Sequence, residues 1–276
     1  AFGLIGVAFG LGFFLGIIFV VIFAKNTNNN FIIPVLIASI IPIINFLLVF
    51  FYLPETKPNS DSNKSKPFIK NPLKNLFTVF KEEKIKKLSL AFFIYFIAFT
   101  GLTNILIFFL QESLNWTTKA SSGTLVVVGI IAIIVQGGLI GPLVKQFGEM
   151  RLTLIGSGFI LVACALLITA PKENATINIY SAVSFLAVGA GLITPTLRAL
   201  ISKKLDIDKQ GSILSNLQGL QSLGGVLGIA MAGRVYDSFG PKSPFIAGSV
   251  ILLFMIYLIA EGKSNNSFNN QKSKVF

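Results

Sequence analysis

Residues 88–110 read LSLAFFIYFIAFTGLTNILIFFL, a stretch without a single Lys, Arg, Asp or Glu. An α-helix rises about 1.5 Å per residue, so about 20 apolar residues cross the ~30 Å hydrocarbon core of a bilayer. The stretch therefore predicts a transmembrane helix. It lacks the strict alternation of apolar and polar residues that is typical of a strand in a membrane β-barrel.

Seven other stretches have the same character, and charged residues are absent from their middles. The eight predicted spans are 2–24, 31–53, 88–110, 123–144, 152–170, 178–200, 211–234 and 244–261. The whole chain is 53% hydrophobic and 12% charged, whereas a soluble domain carries about 25% charged residues. We predict an all-α transmembrane bundle whose main partner is the lipid bilayer.

The basic residues are unevenly distributed between the two predicted sides of the membrane. Of the 23 Lys and Arg residues, 18 lie in four alternate segments, and 5 lie in the segments between them. The four basic segments are 54–87, 145–151, 198–210 and 262–276. Because cytoplasmic loops carry an excess of Lys and Arg, both termini are predicted to be cytoplasmic in a plasma or inner membrane. The net charge of +12 is assigned to these loops, not to a nucleic-acid partner.

Several kinds of enzyme site are excluded by the residue types present. The chain has no His, which removes His-ligated zinc and haem sites, Ser-His triads and the H-E-x-x-H protease site. No carboxylate pair lies within a predicted span, and no Gly-rich phosphate-binding loop is found. The single cysteine, Cys164, has no partner for a disulfide within the chain. We expect neither an enzyme nor a bound metal or cofactor.

A polar segment divides the chain into two spans followed by six. Its first part, PETKPNSDSN from Pro54, is typical of a flexible linker. Its second part places apolar residues at helical spacing between lysines, namely Leu73, Leu76, Phe77, Phe80 and Leu88. That spacing favours an amphipathic helix on the inner membrane surface, and a plain basic linker is the alternative.

The first and seventh spans share a short repeat. Residues 11–17 read LGFFLGI, and residues 223–229 read LGGVLGI. The two segments lie six helices apart and run in the same direction, as expected of a parallel repeat of six helices. Gly12 and Gly16 share one helix face, as do Gly224 and Gly228, and such pairs let two helix backbones approach closely. Generic packing of membrane helices explains the same glycines without a repeat.

Two further glycine patterns accompany this repeat. Gly3, Gly12 and Gly16 have the spacing of the first three glycines in G-(x)8-G-(x)3-G-P-(x)2-G-G, and Ile17 stands at the Pro position. The segment 141–151, GPLVKQFGEMR, matches G-x-L-a-D-r-x-G-r-k at its two glycines and its Leu. These glycines are Gly141 and Gly148.

Together these patterns resemble those of the major facilitator superfamily, in its twelve-helix drug/proton antiporter-like branch. The resemblance extends over essentially the whole chain and matches the family's fifth to twelfth helices. Because Lys145 occupies the Asp position, segment 141–151 is similar to the weaker copy of the motif between helices 8 and 9. The Pro-Gly-Gly kink that the family associates with antiport is absent after Gly16, so the resemblance does not extend to that part of the antiport motif.

The resemblance implies a domain organisation. Residues 1–55 hold the last two helices of an N-terminal six-helix bundle, and 56–87 form a cytoplasmic central linker. Residues 88–262 form the C-terminal six-helix bundle, and 263–276 are a cytoplasmic tail. The chain begins at Ala1, inside an apolar stretch, so we expect four helices to precede it in the complete protein.

The resemblance also implies a substrate cavity near the bilayer midplane, lined by the family's helices 5, 7, 8, 10 and 11. The polar residues of these helices are the candidates: Tyr95, Asn104, Gln136, Thr194, Arg198, Asn216, Gln218 and Gln221. For each of them, a hydrogen bond that holds two helices together is the alternative role. Arg198 has three candidate roles: binding an anionic substrate, gating the inner face, or reaching lipid phosphate at the membrane surface.

The function implied is transport of a small solute by alternating access, in a carrier that is monomeric when complete. Drug or metabolite efflux is the form suggested by the branch, and the substrate stays open. Proton coupling also stays open, because no Asp or Glu lies inside a span, away from its ends, and coupling usually employs a buried carboxylate. The alternative is a membrane scaffold, or a remnant of a transporter gene, that does not transport.

Overall fold

The structure is a computed structural model, and it describes residues 11–12, 15–16, 32–52, 76–171 and 175–272. The described helices are α1 (Ile32–Tyr52), α2 (Lys86–Phe108), α3 (Thr118–Ala132, resumed at Ile140–Phe147), α4 (Glu149–Ile168), α5 (Thr176–Ser202), α6 (Ile207–Phe239) and α7 (Ser243–Lys272). A π-helical turn, Phe109–Ser113, extends α2, and another π-helical segment, Ile133–Leu139, joins the two parts of α3.

The chain divides into two compact units. Gly12–Pro72 form the smaller unit, and Ala1–Leu11 with Leu73–Phe276 form the larger. In the smaller unit, α1 contains Pro42, and its apolar side chains are exposed along its length, with Phe51 at 71%. A helix with so much exposed apolar surface is suited to hydrocarbon and not to water.

Six of the described helices, α1 to α5 and α7, are long and apolar enough to cross a membrane. The predicted span 211–234 lies within α6, which is long enough but is interrupted by polar residues such as Asn216, Gln218 and Gln221. The predicted span 2–24 lies outside the described residues, apart from four helical positions. The count of eight spans therefore stays a prediction at these two places.

In the larger unit, α2 lies at the centre of a six-helix bundle. It packs against α6, α7 and α5, while α4 packs against α5 and α7, and α3 packs against α5. Side chains that are completely buried between these helices include Phe92 and Tyr95 of α2, Ile160 of α4 and Ile179 of α5. One contiguous core thus joins α2 to its neighbours.

Glycines bring the backbones of these helices together. A Cβ built on Gly228 of α6 would overlap the carbonyl oxygen of Ile97 in α2, and one on Gly224 would lie 3.2 Å from the carbonyl oxygen of Phe93. Between α4 and α5, a Cβ on Gly189 would lie 2.6 Å from the carbonyl oxygen of Gly156. Close packing of this kind is the main source of helix association in a bilayer, where apolar side chains gain little from mutual contact.

One end of the bundle carries most of its ion pairs, and we call it the charged end. Here α2, α4 and α6 begin, and α3 and α5 end. Three pairs connect different elements at this end: Lys87 with Glu261 at 2.7 Å, Lys209 with Glu82 at 3.3 Å, and Lys203 with Glu149. This is the end that the distribution of basic residues predicts to be cytoplasmic.

The segment before α2 differs from a single amphipathic helix over 72–88. From Leu76 onward it has a short 3₁₀ helix, Phe77–Lys81, followed by a turn that leads into α2. Leu76 packs tightly against Gly219 of α6, and the amide of Asn216 donates a hydrogen bond to Thr78 at 3.2 Å. Residues 53–75, which hold the rest of the predicted linker, lie outside the described part.

Candidate functional site

A cavity of about 230 Å³ opens between four helices of the larger unit. Its walls come from α2, α3, α5 and α6, and most of them are apolar. The apolar lining residues are Phe96, Phe99, Val128, Ala132, Leu186, Ala187, Ala190, Gly191 and Pro195. These four helices correspond to the predicted cavity helices 7, 8, 10 and 11 of the family numbering, and α4 and α7 contribute no lining residue.

The small residues of α5 create much of this space. Ala187, Ala190 and Gly191 recur three and four positions apart, so they lie on one helix face towards the cavity. Pro195 follows on the same face and has no backbone N–H, so it removes the helical hydrogen bond to the carbonyl of Gly191. A peptide acceptor is thereby released beside the cavity.

Arg198 supplies the charge of the cavity. Its side chain is half-buried, and its Nη2 atom donates hydrogen bonds to the side-chain oxygens of Gln218, at 2.8 Å, and of Gln221. Its guanidinium carbon lies 5.9 Å from the centre of the Phe92 ring. Both amides come from α6, so they hold the guanidinium between α5 and α6 and not along the outer surface of the bundle.

No ion pair to Arg198 is found among the described residues. Its partners are neutral amide oxygens, which accept hydrogen bonds but do not cancel a full positive charge. A half-buried guanidinium with only neutral partners makes the surrounding cavity electropositive.

Tyr95 and Thr194 form a pair behind the cavity wall. Tyr95 is completely buried in α2, and its hydroxyl lies 3.3 Å from the hydroxyl of Thr194 in α5. Thr194 lines the cavity, whereas Tyr95 does not. Tyr95 therefore positions Thr194 from behind and joins the two helices.

Gln136 lines the cavity from the π-helical segment Ile133–Leu139, next to Gly191 of α5. A π-helical turn shifts the register of the side chains that follow it, and such turns are frequent at functional sites. The segment packs against α5, where a Cβ on Gly191 would meet the side chain of Val135 at 2.9 Å. Gln136 adds a neutral polar group to the cavity lining beside α5.

Two of the predicted cavity residues lie elsewhere. The Asn104 side chain is exposed and donates a hydrogen bond to the carbonyl of Thr100 within its own helix, at 2.9 Å. Asn216 is bound to Thr78 near the charged end. Neither lines the cavity, because the rotation of α2 and α6 directs them to other surfaces. The cavity thus brings together Gln136, Thr194, Arg198 and Gln221, with Gln218 attached through Arg198.

Most of the apolar lining was not foreseen, since only polar residues were considered as candidates. The sequence feature that could have indicated the apolar wall is the series of small residues on α5 before Thr194, namely Ala187, Ala190 and Gly191. Thr103 of α2 also lines the cavity and was not singled out, and its hydroxyl is bound to the carbonyl of Phe99 at 2.8 Å.

The motif glycines differ in what surrounds them. Gly224 and Gly228 lie at the tight contact with α2, as described above. Gly148 has a φ of +75° and forms the turn between α3 and α4, a conformation that L side chains rarely adopt. Added Cβ atoms on Gly12, Gly16 and Gly141 would meet no described atom within 4 Å, and Gly3 lies outside the described residues.

The described residues contain no group of His, Cys, Asp or Glu side chains placed to hold a metal ion.

Comparison with known proteins places this bundle in a family. The model of the Major Facilitator Superfamily matches residues 1–229. The chain belongs to that superfamily. The resemblance drawn from the glycine patterns and the long central linker is therefore confirmed at the level of the family.

Several known proteins are similar to this chain in sequence. The class B tetracycline resistance protein of Escherichia coli is 25% identical over 240 residues, covering 86% of this chain and 57% of the relative. The class H protein of Pasteurella multocida is 24% identical over 236 residues, with the same coverage. The human hippocampus abundant transcript-like protein 1 is 21% identical, covering 82% of this chain and 49% of the relative.

A solved structure shows the same fold. The human organic anion transporter MFSD10 (TETRAN) superposes with a TM-score of 0.77 at 21% identity, over 94% of this chain and 62% of that protein. The helical membrane fold inferred from the sequence is therefore confirmed. The chain spans about half to three fifths of the length of the proteins it matches.

Proposed function

We propose that this chain forms part of a secondary carrier that moves a small solute across a membrane by alternating access. The observation that carries the proposal is the cavity between α2, α3, α5 and α6, which has an apolar wall and a few convergent polar groups. That combination is typical of a site for a small molecule. A membrane scaffold needs no such cavity, so transport is the better explanation of it.

In this proposal, the larger unit supplies one wall of the transport route. The cavity of about 230 Å³ is smaller than the roughly 300–1,000 Å³ of ordinary ligand sites. Residues 1–55 would belong to an N-terminal half. Residues 56–87 would then connect the halves, 88–262 would form the second half, and 263–276 would be its tail.

The proposed orientation places the charged end and both termini in the cytoplasm, in a plasma or inner membrane. The relatives named for tetracycline resistance favour efflux of a drug or metabolite. Coupling to protons is part of this proposal for the whole protein. Glu261 is the only carboxylate among the described residues of the predicted spans, and it lies at the end of the last span, where it is paired with Lys87 at the charged end. The spans concerned are 31–53, 88–110, 123–144, 152–170, 178–200, 211–234 and 244–261. A coupling carboxylate would therefore come from outside these helices.

The test is flux through the natural polypeptide that contains this chain, reconstituted in liposomes. The probes are three fluorescent solutes that differ in charge: tetracycline, ethidium and fluorescein. We expect saturable flux of at least one of them. Absence of saturable flux for all three would refute the proposal.

A matched pair of variants tests whether the cavity is the route. Ala190 lines the cavity, so Ala190→Trp should fill it and abolish flux. Ala260 is exposed on α7 and does not line the cavity, so Ala260→Trp should leave flux within about twofold of the parent. Equal flux in both variants would show that solute takes another path.

A further inference from the structure

The polar groups of the cavity are arranged asymmetrically, and the asymmetry bears on the class of substrate. This inference rests on the proposed transport function and concerns the same cavity. At one end lies Arg198 with the amides of Gln218 and Gln221. Away from Arg198, the walls are formed largely by aromatic and small aliphatic side chains, among them Phe96, Phe99 and Leu186.

We propose that this cavity binds lipophilic organic monoanions, with the anionic group on Arg198 and the apolar body against Phe96 and Phe99. Arg198 is the one charged residue among those that line the cavity. A cation entering the same space would meet an uncompensated positive charge in a medium of low polarity, which disfavours it.

The hydrogen bonds of Arg198 leave donors for such a ligand. A guanidinium carries five N–H donors in a planar fork. The two hydrogen bonds to Gln218 and Gln221 both come from Nη2, and no side-chain acceptor for Nη1 or Nε is found among the described residues. The two amides therefore orient the fork and leave Nη1 and Nε available to a carboxylate.

The geometry also explains why two glutamines hold this arginine. An Asp or Glu at either position would neutralise the guanidinium and compete with an anionic ligand. A Gln oxygen orients the side chain while the charge is retained. Phe92, whose ring lies 5.9 Å from the guanidinium carbon, supports the charge from the side of α2.

The remaining polar lining residues are neutral and fit the uncharged part of a ligand. Thr194, held by Tyr95, and Gln136 of the π-helical segment offer a hydroxyl and an amide to a hydrogen-bonding group. The recognised ligand is therefore amphipathic: one anionic group, one flat apolar body, and room for a neutral polar substituent.

The experiment is a binding measurement on the purified chain in detergent with three probes of one shape. The probes are 1-naphthoate, 1-naphthamide and 1-naphthylmethylammonium, which are anionic, neutral and cationic. Binding is read from the concentration dependence of the unfolding temperature. We expect 1-naphthoate to bind most tightly and the cation most weakly. A naphthamide or cation that binds as tightly as 1-naphthoate, or failure of all three to bind, would overturn the proposal.

Substitutions of Arg198 test whether this residue causes the preference for the anionic probe. Because a hydrogen bond between charged groups contributes strongly to binding, Arg198→Gln should weaken 1-naphthoate binding about 10- to 100-fold. The binding of 1-naphthamide should be unchanged. Arg198→Lys should keep part of the affinity, because the charge remains but the fork is lost. Arg151→Gln is the matched control, since Arg151 is exposed near the same end and its loss changes the net charge equally. Unchanged 1-naphthoate binding in Arg198→Gln, or an equal loss in Arg151→Gln, would overturn the assignment.

Binding and flux can fail separately. Selective naphthoate binding by a protein with no saturable flux would refute transport and leave the anion site standing. Saturable flux without any preference among the three naphthyl probes would refute the anion site and leave transport standing.

Discussion

Substitution of Gly228 by Ala tests whether close backbone contact between α2 and α6 holds the bundle together. The new Cβ would overlap the carbonyl oxygen of Ile97 and would lie 2.8 Å from Oγ1 of Thr100 and 3.0 Å from the carbonyl carbon of Ile97. Two of these three atoms belong to the backbone of α2, so they cannot rotate away. The helices must separate, and the packing along their shared face is lost.

The magnitude follows from two opposing effects. Overpacking in a tight interior costs about 1–3 kcal/mol, and a clash with backbone lies in the upper part of that range. Ala is better than Gly in a helix by about 1 kcal/mol, which offsets part of the cost. We expect Gly228→Ala to lower the free energy of unfolding by about 1–2 kcal/mol.

Gly233→Ala is the matched control on the same helix. A Cβ there meets no described atom within 4 Å, so only the gain in helix propensity remains. The difference between the two variants, about 2–3 kcal/mol, isolates the clash because the propensity gain cancels. At about 2–4 °C per kcal/mol for a domain of this size, their unfolding temperatures should differ by about 4–12 °C.

The assay uses the single cysteine of the chain. Cys164 is completely buried in α4, so a fluorogenic maleimide reacts with it only as the bundle opens. The unfolding temperature is read from dye fluorescence on heating in detergent, without introducing another cysteine. If the Gly228→Ala variant unfolds at the same temperature as the Gly233→Ala variant, the reasoning about backbone contact is refuted.

Three further substitutions have distinct expected outcomes. Tyr95→Phe removes a buried hydroxyl from the contact between α2 and α5, and the free energy of unfolding should fall by about 0.5–1.5 kcal/mol in the same dye assay. Glu149→Gln breaks the ion pair with Lys203, and since the Lys203 side chain is 67% exposed and that of Glu149 is 14% exposed, stability at low salt should fall by about 1 kcal/mol. In a cysteine-free background, Gln146→Cys at the charged end should react with a membrane-impermeant maleimide only from the cytoplasm, and Ser238→Cys at the opposite end only from outside.

A specific result would contradict each of these three predictions. No loss of stability in Tyr95→Phe would mean that the hydroxyl contact between α2 and α5 contributes nothing. A large loss in Glu149→Gln that persists in high salt would mean that this ion pair is effectively buried, since salt screens exposed pairs. Labelling of both introduced cysteines from the same side would exclude the proposed topology.

The course of the helices was largely predictable from the sequence. The stretch 178–200 was predicted as a span and lies within α5, Thr176–Ser202, while 88–110 corresponds to α2 and the start of its π-helical turn. A helix in a bilayer depends on hydropathy summed over about 20 consecutive residues, which is a local property of the sequence. The π-helical segments were not predicted, because hydropathy identifies a helical span and not a one-residue shift of register within it.

The candidate site was predictable only in part. Thr194, Arg198, Gln136 and Gln221 line the cavity, whereas Asn104 makes a hydrogen bond within its own helix. Residue type suggested all of them equally, since any amide or hydroxyl in a membrane helix seeks a partner. Which partner each finds depends on the rotation of its helix, and hydropathy does not specify that rotation.

Local composition is enough to show that this is a helical membrane protein, where its apolar stretches lie and which end carries the positive charge. The folded bundle was needed to show that Gly228 touches the backbone of α2 and that two glutamines of α6 hold Arg198 of α5. These contacts join residues far apart in the chain. They arise from the packing of whole helices, where a rotation of one third of a turn exchanges a cavity wall for a lipid-facing surface.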